Sequence, residues 1–420
     1  MDSRPSFDAP GTAPAPAPSQ FGKLWAATTA SNLGDGIWLV AAPLLALTLT
    51  SDPVLIAGLA FAQRLPWLLF GLISGALADR LDRRRVMVGV AGVRAAIVGT
   101  LTVAVIFDWA SMPLLYVVFF LIATGETLFD TSAAALLPAL VPKEYLTRAN
   151  ARLSATFTVT NQFIGPPLGG ALFAVAAALP FALGAAGLAA AATLLSTLRG
   201  TFRAERSGET AHPNLRAEIA EGIRWLRAHR LLRTLTVAMA ILNLTVVAQV
   251  SITVLLAEER LGLGPAGYGA LVTAYGVGGV LGGFVAPWVL ARIGESQYLR
   301  LAIVLETAIP AALALTTSGY VAGAVFVLFG LHAVIWGALI SSLQQELTPD
   351  RLRGRVRSVN MVLEYGTGAP GALLGGLLAS TIGLTAPFWL GAIAGLILIP
   401  ATWAAFSPRS LTVARAAAPA

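Results

Sequence analysis

Gly75-Ala76-Leu77-Ala78-Asp79-Arg80-Leu81-Asp82-Arg83-Arg84-Arg85 sets two carboxylates and four guanidinium groups between two long apolar runs. Each run is of the order of 20 residues, the length of a membrane-crossing helix. Charge of this density stays in water or among lipid headgroups, while such flanks belong in hydrocarbon. The stretch therefore reads as a tight hairpin at a membrane surface, joining two spanning helices.

The composition agrees. Hydrophobic residues make up 56% of the 420 and charged residues only 12%, where a soluble domain carries about 25% charge. Continuous apolar runs, rather than short alternating segments, exclude an outer-membrane barrel. About 12 helices with their connections fit the length. They fall near 22–49, 54–78, 86–107, 113–137, 154–178, 180–198, 232–257, 267–291, 298–317, 320–343, 358–380 and 384–406. The expected fold class is an all-α polytopic membrane protein with 12 transmembrane helices in two six-helix halves.

Orientation follows from the basic residues. Of the 28 lysines and arginines, Arg64 and Arg94 fall within spans and Arg260 in an outer loop; the others all lie on one side. That asymmetry predicts both termini in the cytoplasm. It also argues against nucleic acid as a partner, because the +7 charge is spread over every inner loop rather than gathered in one patch. The expected organisation is a disordered N-terminal tail (1–20), an N-terminal half (21–198), a cytoplasmic linker (199–231), a C-terminal half (232–406) and a C-terminal tail (407–420). In the linker, Leu215 to Arg227 has helical amphipathic spacing and reads as a helix on the inner membrane surface, its arginines reaching for headgroups.

The halves repeat. Leu137-Pro138 through Arg148-Ala149-Asn150 leads into Gly165-Pro166-Pro167-Leu168-Gly169-Gly170. Leu343 through Arg353-Gly354-Arg355 leads into Pro370-Gly371 and Gly375-Gly376. A six-helix unit used twice in parallel is a transporter architecture.

These features resemble the major facilitator superfamily, whose inner-loop motif takes the form Asp-Arg-x-Asp-Arg-Arg, here Asp79 to Arg84. Within it the chain is similar to bacterial drug:proton antiporters grouped with macrolide-efflux and enterobactin-exporter proteins. The shared segments are Ser31 to Gly36, Arg64 to Trp67, Pro138 to Asn150 and Arg353 to Val356. The resemblance implies a gate loop of Gly75, Asp79, Arg80, Arg83 and Arg84, with Asp79 holding the halves together in the outward-facing state. Asp82 stands where the wider superfamily prefers glycine. Gly165, Pro166, Gly169 and Gly170 resemble the fifth-helix pattern of exporters, although Ser154 and Asn161 replace its upstream glycines. A packing motif is the alternative reading.

Ionisable groups inside spans are costly and mark function. Asp35 and Arg64 fall at similar depths on successive helices, about 18 and 22 Å from the inner edge at 1.5 Å per residue. They read as an intramembrane ion pair, either permanent or exchanged for a proton or cationic substrate. Glu126 and Asp130 share one helix face and are proton-coupling candidates with Asp35; alternatively Asp130 pairs with a base such as Arg94. His332 reads as a proton carrier or a hydrogen-bonded packing residue. Glu306 and Glu364 read as structural. Trp38, Asn161, Gln162, Asn243, Gln249, Trp336 and Tyr365 are candidate cavity residues.

No cysteine is present, and neither a Gly-x-x-x-x-Gly-Lys-Ser/Thr loop nor His-Glu-x-x-His occurs. The chain reads as no enzyme, with no cofactor and no metal. The expected function is export of amphipathic small molecules, drugs or antibiotics, across the cytoplasmic membrane of a bacterium by proton antiport with alternating access. Its partners would be substrate, protons and the lipid bilayer, with the chain a monomer. The alternatives are a dedicated exporter of one natural product and, from another class, a non-transporting membrane sensor.

Overall fold

The computed structural model describes residues 19–200, 202 and 215–416. The first half holds α1 (Ser19–Leu49), α2 (Pro53–Arg80), α3 (Arg83–Ile106), α4 (Met112–Leu140), α5 (Leu146–Phe157), α6 (Gly165–Val175) and α7 (Leu179–Ser196). After α8 (Leu215–Ala228) come α9 (Arg230–Val250), the single turn α10 (Thr253–Leu255), α11 (Pro265–Ile293), α12 (Glu295–Leu315), α13 (Gly319–Leu347), α14 (Asp350–Thr381), α15 (Ala386–Trp403) and α16 (Pro408–Ala416). No strand occurs among the described residues. Among the described residues, ten helices are long and apolar enough to cross a membrane: α1 to α4, α7, α9, α11 to α13 and α15.

The opening hairpin is realised with α2 ending at Arg80, α3 starting at Arg83, and Leu81-Asp82 between them. Asp82 makes the turn twice over. Its carboxylate accepts from the Arg85 N–H at 3.0 Å, capping α3, and from the Phe202 N–H at 3.2 Å, pinning the start of the linker. Arg83 donates to the Ala135 carbonyl at 2.9 Å, and Arg84 to the carbonyls of Leu195 and Ser196. The last carbonyls of a helix lack intrahelical partners and carry its negative dipole end. Arg84 thus caps the end of α7, while Arg83 ties the hairpin to α4 just before its last turn. Gly75, Asp79 and Arg80 belong to α2, with the surroundings of Gly75 and the side chains of the other two outside what the structure describes, and residues 1–18 of the expected tail lie outside the described residues.

A π-helical stretch, Thr158–Ile164, carries α5 into α6 without a break. Pro166 and Pro167 supply no N–H to the preceding turn, and a widened turn re-registers the backbone there. The Gln162 carbonyl lies against Gly276 of α11, where a Cβ would fall 2.4 Å from it.

Within the first half α1 packs on α6 and α7, α3 on α4 and α7, and α2 on α4; within the second, α11 packs on α13, α12 on α15 and α9 on α14. The halves meet along two seams, α2 with α14 and α6 with α11. Both seams close through glycine. A Cβ on Gly170 would fall 2.7 Å from the Pro265 carbonyl oxygen, and one on Gly376 would fall 2.6 Å from that of Pro53. Pro53 begins α2 and Asp82 follows its end, so this closure lies at the far end of the bundle from the hairpin.

Two expectations change. At the C-terminal end of α8 the apolar side packs on protein: Leu226 is buried, and Ile223 and Trp225 pack beside it on the core of the second half. Glu221 pairs with Arg355 of α14 at 2.6 Å. The amphipathic pattern is real, but a neighbouring helix bundle satisfies it as well as a bilayer does. The region expected as a C-terminal tail contains α16, which buries Leu411 and Ala414 and whose Arg415 bonds Glu295 and Glu346, each at 2.7 Å.

Candidate functional site

In the first half the site is built on one arginine. Arg94, the twelfth residue of α3, is 1% exposed. Its Nη2 donates to Asp35 Oδ1 of α1 at 2.6 Å and its Nη1 to Ser31 Oγ at 3.2 Å; Ser31 Oγ in turn donates to Asp35 Oδ2 at 3.4 Å. The α3–α4 approach is close because position 125 is glycine, where a Cβ would fall 2.8 Å from the Arg94 stem. That proximity brings Glu126 and Asp130 of α4 within the field of the guanidinium. The expected Asp35–Arg64 pair is not formed. Asp35 belongs to Arg94, while Arg64 lies against Gly368 of α14. Successive helices need not be neighbours: α2 packs between α4 and α14, away from the polar face of α1.

A cavity of about 210 Å³ opens beside this cluster, lined by Asp35, Trp38, Gln63, Phe119, Glu126 and Asn161 among others. Glu126 is partly exposed there and Asp130, one turn on, is exposed. Asn161 sits on the π-helical stretch, which presses its backbone onto Gly36 of α1. Trp38 lines the cavity edge while its indole N–H donates to the Pro180 carbonyl at 3.2 Å. Gly169 and Gly165 face the α1 backbone at Ile37 and Gly36, and Pro166 is buried. The glycine pattern of α6 therefore does packing work on α1, with Gly170 turned to the other half.

The second half carries a counterpart with its polarity reversed. Glu306, the twelfth residue of α12, meets His332 of α13, Oε1 to Nε2, at 3.2 Å. His332 is fully buried, and its Nδ1 faces the Tyr298 hydroxyl at 3.2 Å. Here the acid stands on the helix that repeats α3, and the base on the helix that repeats α4. A cavity of about 250 Å³ lies alongside, lined by Asn243, Tyr275, Glu306, Phe329, Trp336 and Glu364 among others. Asn243 donates to the Glu364 carbonyl at 2.6 Å.

Of the remaining candidates, Gln162 is not among the residues lining either cavity, and Tyr365 belongs to α14 with its side chain outside what the structure describes. Gln249 is a packing residue: its amide donates to the Thr245 carbonyl and fills the space left by Gly391 of α15. Glu306 and Glu364 line a cavity rather than serving structure alone. By sequence position the two carboxylates lie toward the inner ends of their spans and read as structural; the cavity they share is set by packing.

Two repeated helical halves, each with buried charge beside a cavity, define a multi-pass membrane transporter. The family model described as transmembrane secretion effector matches residues 11–414, and the chain belongs to that family, within the major facilitator superfamily. It is 30% identical to the multidrug efflux pump Tap of Mycolicibacterium fortuitum over 401 residues, covering 92% of this chain and 95% of Tap. It is 22% identical to macrolide efflux protein A of Streptococcus pyogenes, covering 88% of this chain and 92% of that protein. The fold superposes on a bacterial homologue of the iron transporter ferroportin in its inward-facing state, with a TM-score of 0.73, 18% identity, and coverage of 93% and 99%.

Proposed function

We propose that this protein exports amphipathic small molecules from a bacterial cytoplasm by proton antiport, through alternating access of two six-helix halves. In this reading α5–α6 and α14 complete twelve spans, both termini are cytoplasmic, and the protein works as a monomer. The observation that carries the coupling is the charge count of the first half. One guanidinium, Arg94, is in contact with Asp35, and Glu126 and Asp130 of α4 lie within its field. Three carboxylates on one cation leave an excess of negative charge at a depth where charge is costly. Protons can neutralise that excess and be released when the site opens to the other side. Each proton falling through 100 mV would supply about 2.3 kcal/mol. The similarity to two efflux proteins supports the outward direction. The glycine-closed seams at Pro53 and Pro265 support an inward-facing state.

Reconstitution in liposomes with an imposed pH step tests the coupling. Glu126→Gln and Asp130→Asn, singly or together, are expected to abolish accumulation driven by the step while leaving downhill equilibration of substrate. A neutral side chain imitates the protonated state but has no proton to release. Uphill transport that survives both changes would move the coupling site to Asp35 or His332.

A further inference from the structure

We propose that the cavity of the second half is a binding site for a hydrophobic organic cation, with Glu306 and Glu364 as its counter-charges and Trp336 as its aromatic wall. The proposal deepens the exporter reading and rests on it for the meaning of the bound cation, though not for the binding itself. Three observations carry it. The first is charge: Glu306 and Glu364 both line the cavity, and no lysine or arginine does. Arg64 comes up beside Asn243 at Gly368 without being part of the lining. His332, outside the lining and behind Glu306, holds that carboxylate in place from the protein side at 3.2 Å.

The second is the wall. Tyr275 and Phe329 meet edge to face with ring centroids 5.1 Å apart, and Trp336 stands one helical turn beyond His332. Carboxylates set among π faces recognise a soft, weakly hydrated cation, whose attraction to an aromatic face adds to that of the charge. A hard metal ion, which requires about six oxygen ligands, is the poorer fit, because beyond the two carboxylates, Thr236, Asn243 and Asn360 the lining is aromatic or apolar. The third is size. About 250 Å³ suits an ammonium head carrying one ring, the anchoring end of a larger amphiphile, rather than a whole macrocycle. The other titratable groups facing this region are Tyr298 of α12 and Tyr275 of α11.

Calorimetric titration of the purified full chain in detergent with benzyltrimethylammonium tests the site without any transport step. The comparators are neopentylbenzene, its uncharged isostere, and benzenesulfonate. The cation is expected to bind about tenfold or more tightly than either. Glu306→Gln, Glu364→Gln and Trp336→Leu should each weaken it, the double carboxylate change most. Glu258→Gln, which removes an exposed charge elsewhere, should not. If Glu306→Gln fails to fold, as its melting curve would reveal, Glu364→Gln and Trp336→Leu still decide the matter. Equal affinity for cation and isostere, or unchanged cation affinity in the Glu306→Gln/Glu364→Gln double variant, would overturn the proposal. Either result leaves proton-driven export standing, and failure of the pH-step assay would leave this binding result intact.

Discussion

Removing the Arg94 guanidinium would leave Asp35 without its partner in a site where Arg94 is 1% exposed, with Glu126 and Asp130 adding negative charge nearby. Breaking a buried pair by deleting one partner costs about 3–5 kcal/mol, because the survivor keeps its desolvation penalty without compensation. Arg94→Gln and Asp35→Asn are each expected to lower the melting temperature of the purified protein, and the double change to lower it less than the two losses combined. Arg64→Gln with Asp35→Asn should instead be additive, since the two do not touch. A double-mutant cycle measured by thermal unfolding checks both. A coupling energy near zero for Asp35 and Arg94 would contradict the geometry.

At the scale of elements, α9 begins with an unusual cap. His229 Nδ1 accepts from the Leu232 N–H at 3.4 Å, and the ring stacks on Trp225 of α8 with centroids 5.4 Å apart. Burial lowers the His229 pKa below its ordinary 6.5. The sign follows from the depressed value. The stability contributed by neutral His229 is fully present above the unfolded pKa, near 6.5, and is lost as pH falls through the lower folded pKa. Protonation removes the acceptor and places a positive charge at a helix N-terminus, where the dipole opposes it. Amide exchange over residues 222–232 should therefore quicken on acidification from neutrality toward pH 5. His229→Asn, a good cap at any pH, should suppress that change, and His229→Ala should cost about 1 kcal/mol at neutral pH. Exchange with the same pH profile in wild type and His229→Asn would exclude the switch.

For the molecule as a whole, the seams at Gly170 and Gly376 decide which end of the bundle is shut. Gly170 has no room for a side chain against Pro265 and Gly269, so Gly170→Trp should hold that end apart. The absence of native cysteine makes the consequence simple to read. Gln63→Cys, in the wall of the first cavity, should react slowly with an impermeant maleimide added outside cells. Adding Gly170→Trp should raise that rate several-fold and stop transport. Unchanged labelling would mean that the α6–α11 seam is not the barrier.

How much was readable in advance differs along the chain. The hairpin at Gly75 to Arg85, the helical bundle and the doubled half were legible, because hydrocarbon admits helices of one length and expels charge. Asp35, Glu126, Asp130 and His332 stood out for the same reason: an ionisable group in an apolar run is visible one residue at a time. Partners were not visible. Depth alone matches Asp35 to Arg64, yet depth is one coordinate of three, and α3 rather than α2 brings an arginine to α1. The polar amide of Gln249 pointed to a cavity until Gly391 showed which side of α9 it occupies. The apolar stripe of α8 was readable, but not that the second half would cover it. What the linear order determined by itself was which residues must leave water and which must not. Which of the buried charges meet, and which faces enclose empty space, was decided only by the lateral packing of helices, because helices adjacent in the chain are free to lie apart in the bundle.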